Sequence, residues 1–355
     1  MLLKKIIKNL QDKKAGMINI KNLSLDSRIT KKGDLFFAIE GSKLSGEKFI
    51  NEAINNGALA IVCSNNYKKK NFFKVPIIKC TNVKKILVES CKKFYNKKPK
   101  NLIAVTGTNG KSSVADFFFQ ILSLNKYPVA TIGTLGIKSK KKIKKINLTS
   151  PDIITLHREL QRIKESKIDN VVIEASSHGL SQGRLDGLNI KCGIFTNFTQ
   201  DHLDYHKTMK KYFSDKMILF SNILKKNQYI ITDKNLEEFS KIRKISTKRK
   251  LKLLSINDDE LETLKNKVNL IGNFQLKNLL MAMKAAEICS LKKNKIFSSI
   301  NKIKGVKGRL ELIRNLPNGT KVFIDYAHTP DALKTVLNSL SDYFKKEITL
   351  VFGCG

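Results

Sequence analysis

Apolar positions along the chain follow two alternating patterns. Short runs read as buried strands: DLFFAI (34–39), LAIVCS (59–64), VPIIKC (75–80), NLIAVTG (101–107), NVVIEAS (170–176), CGIFTNF (192–198) and QYIITD (228–233). Between them, apolar residues recur at helical spacing, as in GEKFINEAINNGA (46–58), where Phe49, Ile50, Ala53, Ile54 and Ala58 share one face. SSVADFFFQILSLN (112–125) and TPDALKTVLNSLSDYF (329–344) repeat the helical pattern. At the N-terminus, MLLKKIIKNL places Leu2, Leu3, Ile6, Ile7 and Leu10 together and predicts a packed helix. Strands alternating with helices predict an α/β fold with a mostly parallel sheet.

The pattern divides into three blocks. Residues 1–98 end at the polar, proline-bearing YNKKPK, which reads as a linker. Residues 99–308 hold the longest strand–helix alternation. Residues 309–355 add GRLELI, the strand KVFIDYA, a helix and the apolar ITLVFGCG, expected as a further strand. Stopping directly after a buried-type strand would leave an apolar face uncovered, so the third block is expected to be the start of a longer domain.

Composition narrows the class. The chain has 355 residues, 41% of them hydrophobic, and no apolar run approaches the roughly 18 residues of a membrane span. Membrane insertion is not expected, and the N-terminus lacks a signal-peptide core. Six cysteines (63, 80, 91, 192, 289, 354) are scattered without a C-x-x-C pair, which fits reduced thiols in a cytoplasmic protein. The net charge of +37 invites a nucleic-acid reading. Yet the lysines spread over the whole chain and no aromatic-interleaved patch accompanies them, so no nucleic-acid partner is expected.

Four stretches carry chemistry. In TGTNGKSS (106–113) a strand runs through Gly107, Thr108, Asn109 and Gly110 into Lys111, Ser112 and Ser113. Glycines admit phosphate oxygens to backbone N–H groups, and a helix N-terminus favours their charge. Lys111 would neutralise the terminal phosphates and Ser112 would reach Mg²⁺. The usual G-x-x-x-x-G-K-[ST] spacing needs glycine at 105, where Val105 stands. The second stretch, EASSHGLSQGR, follows a strand that delivers Glu174 to its C-terminal end, where ligands of parallel sheets bind; a capping role fits equally. The third, TNFTQDHLDYH (196–206), gathers Asp201, His202, Asp204 and His206. His202 and His206 have zinc-like i, i+4 spacing, but no third ligand is evident. The fourth, DYAHTPDAL, sets Asp325 and His328 after a strand and before a helix opening on Thr329-Pro330.

Together and in this order, these stretches resemble the Mur ligase family of peptidoglycan synthesis, and LDSR (25–28) followed by GDLFFAIEG resembles its first domain. The resemblance spans the chain and is similar to the branch that adds the third residue of the stem peptide. It implies an N-terminal α/β UDP-binding domain (1–98), a central parallel-sheet P-loop ATPase domain (99–308) and part of a Rossmann-like amino-acid-binding domain (309–355). It further implies an ATP- and Mg²⁺-dependent ligase, a monomer, that joins meso-diaminopimelate to UDP-MurNAc-L-Ala-D-Glu through an acyl phosphate.

By motif match, the resemblance makes Lys111, Lys216, His202 and Glu174 catalytic. Ser112, Glu174, His202 and a carbamylated Lys216 are the metal-shell candidates. The ATP site comprises residues 107–113, Gln275, Arg309, Asp325 and His328. Leu25, Ser27, Thr149, Ser150, Ser177, Gln182 and Arg184 match positions that hold the UDP-sugar dipeptide. This chain departs from the family at GNFQ (272–275), where Gln275 replaces an asparagine, at GSKLSG (41–46) and at LTSP, with Leu148 in place of Asn. The motif that reads the diamino acid is absent, so weak turnover is expected, and FGCG is a thin pointer to diaminopimelate over L-lysine. A folylpolyglutamate synthetase-like ligase and a basic RNA-binding nucleotide module are the alternatives.

Overall fold

The structure is a computed structural model that describes all residues except 9, 11, 42–43, 69–74, 141–142, 147 and 354–355. The chain forms two compact units. The first comprises residues 1–98, 152–165 and 186–188; the second comprises the remainder.

In the first unit, strands β1 (Asn22–Ser24), β2 (Asp34–Phe37), β3 (Ala60–Ser64) and β4 (Ile77–Cys80) form a parallel sheet in that order. Registers such as Leu23↔Leu35 and Phe36↔Ile61 fix which side chains share a face. Leu35, Phe37 and Val62 pack with Leu3, Ile6 and Leu87; Phe36, Ile61 and Cys63 pack with Ile50 and Ala53. Both faces are covered, which is why β2 is a continuous apolar run rather than an alternating one. The helix Ile153–Glu165 contributes Ile153 and Ile154 to the first of these clusters.

The N-terminal helix is shorter than its pattern predicts, running only Leu3–Ile6. Ile7 leaves in an extended conformation and is itself buried, so the apolar stripe is satisfied without another helical turn. Leu2 and Leu10 remain partly exposed.

The second unit is built on β5 (Asn101–Thr106), β6 (Val129–Gly133), β7 (Gly136–Ser139), β8 (Ile143–Lys144), β9 (Asn170–Glu174), β10 (Cys192–Phe195), β11 (Tyr229–Asp233) and β12 (Lys252–Ile256). Their order is β12-β11-β10-β5-β9-β6-β7-β8, parallel from β12 to β6 and antiparallel beyond. Every residue of β5 is buried, with β10 on one side and β9 on the other. The helices Lys111–Leu124 and Asn273–Ile288 are the largest contributors to the core packed against this sheet. The topology delivers the C-terminal ends of β5, β9, β6 and β10 to one edge, where the chemistry-bearing loops begin.

An antiparallel pair, β13 (Glu311–Asn315) and β14 (Lys321–Ile324), precedes the helix Pro330–Phe344. Thr329 caps that helix through Oγ1, which accepts from the Ala332 N–H, with Pro330 in the first turn. The strand expected at 348–355 is not formed over 348–353. Among the described residues β13 and β14 pair only with each other, and Ile348–Val351 joins neither. Val351 is 90% and Phe352 70% exposed. Cys354 and Gly355 lie outside the described residues, as do Ser42 and Lys43 of the GSKLSG turn.

Candidate active site

β5 ends at Thr106 and the chain turns at once. Gly107 has φ +145° and Gly110 φ +84°, both in the region that disfavours a Cβ. Space forbids one too: a Cβ on Gly107 would lie 1.9 Å from Thr196 Oγ1, and one on Gly110 2.5 Å from Asn278 Oδ1. The loop is laced to the segment after β10. Asn197 Oδ1 accepts from the Asn109 N–H at 2.8 Å, and its carbonyl accepts from the Thr108 N–H at 3.0 Å. Thr196 Oγ1 donates to the Asn109 carbonyl at 2.5 Å, and Thr108 Oγ1 to the Thr199 carbonyl at 3.1 Å. Ser112 and Ser113 are buried at the start of the following helix.

Two ammonium groups converge on this loop. Lys111 Nζ donates to the carbonyls of Gly107 (2.9 Å) and Thr108 (2.7 Å), and Lys216 Nζ donates to the same Gly107 oxygen at 2.7 Å. Lys216 is 1% exposed and its Nζ stands 4.3 Å from the centre of the Tyr212 ring. Burial, and then repulsion from Lys111, push its pKa well below the usual lysine value. Lys111 is lowered too, by burial first, with Glu174 opposing the shift.

Glu174, 2% exposed, sits at the end of β9. Its Oε2 accepts from Ser112 Oγ and Thr134 Oγ1, both at 3.0 Å, and its Oε1 accepts from the Thr134 N–H at 3.0 Å. Burial raises its pKa against the pull of Lys111 and these donors. Gly133 lets the carboxylate in, since a Cβ there would be 2.0 Å from Oε1. Ser150 Oγ donates to the Glu174 carbonyl at 2.7 Å, and Thr149 Oγ1 lies 3.1 Å from Thr134 Oγ1. Arg184 donates to the Ser150 carbonyl and, at 2.6 Å and 3.0 Å, to Gln182 Oε1.

The histidines separate. His202 adopts a left-handed conformation (φ +53°), half-exposed, with Nε2 3.4 Å from Asp201 Oδ2. His206 is buried, its Nδ1 2.8 Å from Asp215 Oδ2 and its Nε2 2.9 Å from Ser177 Oγ. The pair therefore does not form a zinc-binding face, and no group of three His, Cys, Asp or Glu suited to a metal occurs among the described residues. His178 stacks edge-on to both rings, at 5.0 Å and 5.2 Å. Burial and then its two neighbours push His178 down to about 4. No hydrogen bond joins His202 to Ser112 or Glu174.

From the last block, Arg309 reaches Ser112 Oγ at 3.4 Å and stacks on Tyr326 at 4.3 Å. Asp325 accepts from the Leu310 and Ala327 N–H groups at 2.6 Å and 2.7 Å, and burial raises its pKa. His328 Nε2 is 3.9 Å from Asp201 Oδ2. Gln275 is buried; its Nε2 donates to the Arg309 carbonyl at 3.1 Å, while its Oε1 has no partner. In the first unit, Ser27 Oγ donates to Glu52 Oε2 at 2.6 Å, and Leu25 packs on the core beside it.

The arrangement offers backbone donors, two lysines, an arginine and a carboxylate–hydroxyl cluster around one strand end, a set suited to holding polyphosphate with a hard cation. Sequence reasoning missed Gly133, Thr134, Asn278, Thr196 and Asp215. Only Gly133, a glycine closing a buried strand, left a local signal.

The family comparisons match this layout. Residues 19–95 match the Mur ligase family catalytic domain, 105–286 the Mur ligase middle domain and 308–355 the Mur ligase glutamate ligase domain. The UDP-N-acetylmuramoyl-L-alanyl-D-glutamate--2,6-diaminopimelate ligase of Rickettsia conorii is 36% identical over 364 residues, covering 95% of this chain and 74% of that protein. A solved structure of an enzyme with that name superposes with TM-score 0.78 at 26% identity, covering 96% of this chain and 74% of the other. The MurF ligase of Thermotoga maritima in complex with ADP shares the fold, with TM-score 0.60, 17% identity and coverage of 91% and 75%. With all three family domains matched in sequence order and such identity along nearly its whole length, the chain belongs to the Mur ligase family.

Proposed function

We propose that this chain is an ATP-dependent ligase that joins meso-diaminopimelate to the D-Glu carboxylate of UDP-MurNAc-L-Ala-D-Glu. The observation that carries the reading is the Ser112–Glu174–Thr134 cluster beside the Gly107–Ser113 loop, in a chain 36% identical to a diaminopimelate ligase over 95% of its length. The γ-phosphoryl group passes to the carboxylate, giving an acyl phosphate and ADP. The diamino acid's amine then attacks the carbonyl carbon, and phosphate leaves as the amide forms.

Phosphoryl transfer needs positioning and charge neutralisation more than covalent chemistry. Loop N–H groups of residues 107–113 cradle the phosphates, and Lys111 turns from its carbonyls to the terminal phosphate. Arg309, already against Ser112, reaches the same charge. The unpartnered Gln275 Oε1 takes an adenine N–H, and Asp325 with His328 holds the nucleotide side. The oxygen donors Ser112, Thr134 and Glu174 fit Mg²⁺, with His202 on the same edge; the ion would neutralise phosphate charge. Lys216, whose pKa burial and then Lys111 push well below the usual lysine value, is suited to add CO₂ and become a carbamate, the amine losing one proton as the N–C bond forms and gaining a carboxylate-like end. Leu25, Ser27, Thr149, Ser150, Ser177, Gln182 and Arg184 hold the UDP-sugar dipeptide.

Hydroxylamine trapping tests the activation step without the second substrate. Hydroxamate should appear only with ATP, Mg²⁺ and UDP-MurNAc-L-Ala-D-Glu together. Phosphate release should then respond to meso-diaminopimelate and far less to L-lysine. No hydroxamate, with RNA binding that weakens steeply in salt, would overturn the reading.

A further inference from the structure

Ser177, His206 and Asp215 form a buried hydrogen-bonded chain, of which the reaction above uses only Ser177. Asp215 Oδ1 is paired with Lys211 Nζ at 2.7 Å and its Oδ2 with His206 Nδ1 at 2.8 Å. A carboxylate can only accept, so the proton on this side belongs to Nδ1. In the neutral imidazole Nε2 is then the acceptor, and the group in reach is Ser177 Oγ at 2.9 Å. The Ser177 O–H must therefore point at His206, leaving only lone pairs on its other side. Tyr205 and Tyr212, with ring centres 4.8 Å and 4.9 Å from that of His206, wall the imidazole.

We propose that His206 and Asp215 fix the Ser177 hydroxyl as an acceptor toward the substrate, so that it takes an N–H and refuses a carboxylate. Carboxylate recognition is left to Arg184. His206 and Asp215 act through Ser177 and are positioning residues. The identity of the ligand rests on the ligase reading; the polarity of the hydroxyl does not. The N–H belongs either to an amide of the L-Ala-D-Glu moiety or to the attacking amine.

Asp215→Asn separates polarity from shape. Lys211 demands an acceptor, so the carboxamide oxygen stays with Lys211 and its NH₂ faces Nδ1. The ring must then carry its proton on Nε2 and donate to Ser177, whose own O–H is turned outward. The imidazole ¹⁵N shifts of His206 should show Nδ1–H in the wild-type protein and Nε2–H in Asp215→Asn, with both proteins giving the same far-UV spectrum. Binding of UDP-MurNAc-L-Ala-D-Glu, measured by calorimetry, should fall about tenfold in Asp215→Asn and equally in Ser177→Ala if the amide is read. If the amine is read, binding stays intact, hydroxamate yield is kept, and phosphate release driven by meso-diaminopimelate falls instead. The proposal is overturned if wild-type His206 carries its proton on Nε2, or if Asp215→Asn matches wild type in binding and turnover. It is equally overturned if Asp215→Asn fails where Ser177→Ala does not. A wild-type protein that binds no UDP-MurNAc-L-Ala-D-Glu would refute the ligase reading, while the ¹⁵N shifts would still decide the hydroxyl's polarity.

Discussion

Replacing Gly107 by alanine tests the phosphate loop most directly. At φ +145° an L-residue is strained, at a cost of order 1–3 kcal/mol. The new Cβ would stand 1.9 Å from Thr196 Oγ1, where ordinary contact begins at 3.4 Å, so that hydroxyl must retreat by 1.5 Å. Retreat breaks its 2.5 Å bond to the Asn109 carbonyl, worth about 1 kcal/mol net. The sum is about 2–4 kcal/mol of lost stability, read by urea unfolding, with ATP affinity falling at least ~10-fold because the cradle itself is displaced. Thr196→Ala alone should cost only about 1 kcal/mol, the lost hydrogen bond. The double variant should be more stable than the sum of the singles by about 1 kcal/mol, since the clashing oxygen is gone. Strict additivity, or a Gly107→Ala protein with wild-type melting and ATP affinity, would refute the argument from close approach.

Glu174→Gln keeps the shape of the Ser112–Thr134 cluster and removes a buried charge. Apo stability should hold or rise, while the Mg²⁺ dependence of ATP binding, followed by calorimetry, should disappear. Lys216→Ala should leave the fold intact and cut hydroxamate formation at least ~100-fold, with partial recovery in formate or acetate; wild-type activity without bicarbonate or CO₂ would speak against the carbamate. His157, in the first unit, is buried and held down to about 4, by burial first and then by Lys98. Between pH 6.5 and 4 the unfolded chain binds a proton there that the folded chain refuses. Stability is therefore full above 6.5 and falls toward pH 4, by about 3 kcal/mol from this group. His157→Gln should flatten that limb of a urea-unfolding pH series relative to wild type.

The legible parts of the sequence were those in which one residue's neighbours along the chain decide its role. Buried parallel strands announce themselves as apolar runs, and a carboxylate closing one, as at Glu174, stands where ligands gather. Helix starts were equally local: Thr329-Pro330 caps the helix it precedes. Partners distant in sequence were not legible. Asp215 in DHLDYH…SDK reads as one more helix carboxylate, and only the fold brings it against His206. The helix Ile153–Glu165 was not among the elements read from the sequence, and nothing local says that Ile153 and Ile154 join the core of the first unit. The apolar Ile348–Val351 run has the composition of a strand, but composition alone does not make one, and among the described residues it pairs with no other strand.

The short spacing of the phosphate loop has the same origin. A glycine at 105 would open the turn two residues earlier, but Val105 is still inside the sheet, paired with Glu174 on β9 and Ile194 on β10. β5 keeps its β10 ladder through Thr106↔Phe195, and that continuity holds Glu174 level with the strand's end. The turn must then be made in fewer residues, which accounts for two positive-φ glycines only three positions apart. A tighter turn brings backbone closer to its surroundings, hence the absence of room for any Cβ beside Thr196 and Asn278. The glycine at 107 is thus set by how far the central strand must run to place its neighbour's carboxylate beside Ser112, and the loop's length follows from the sheet's register.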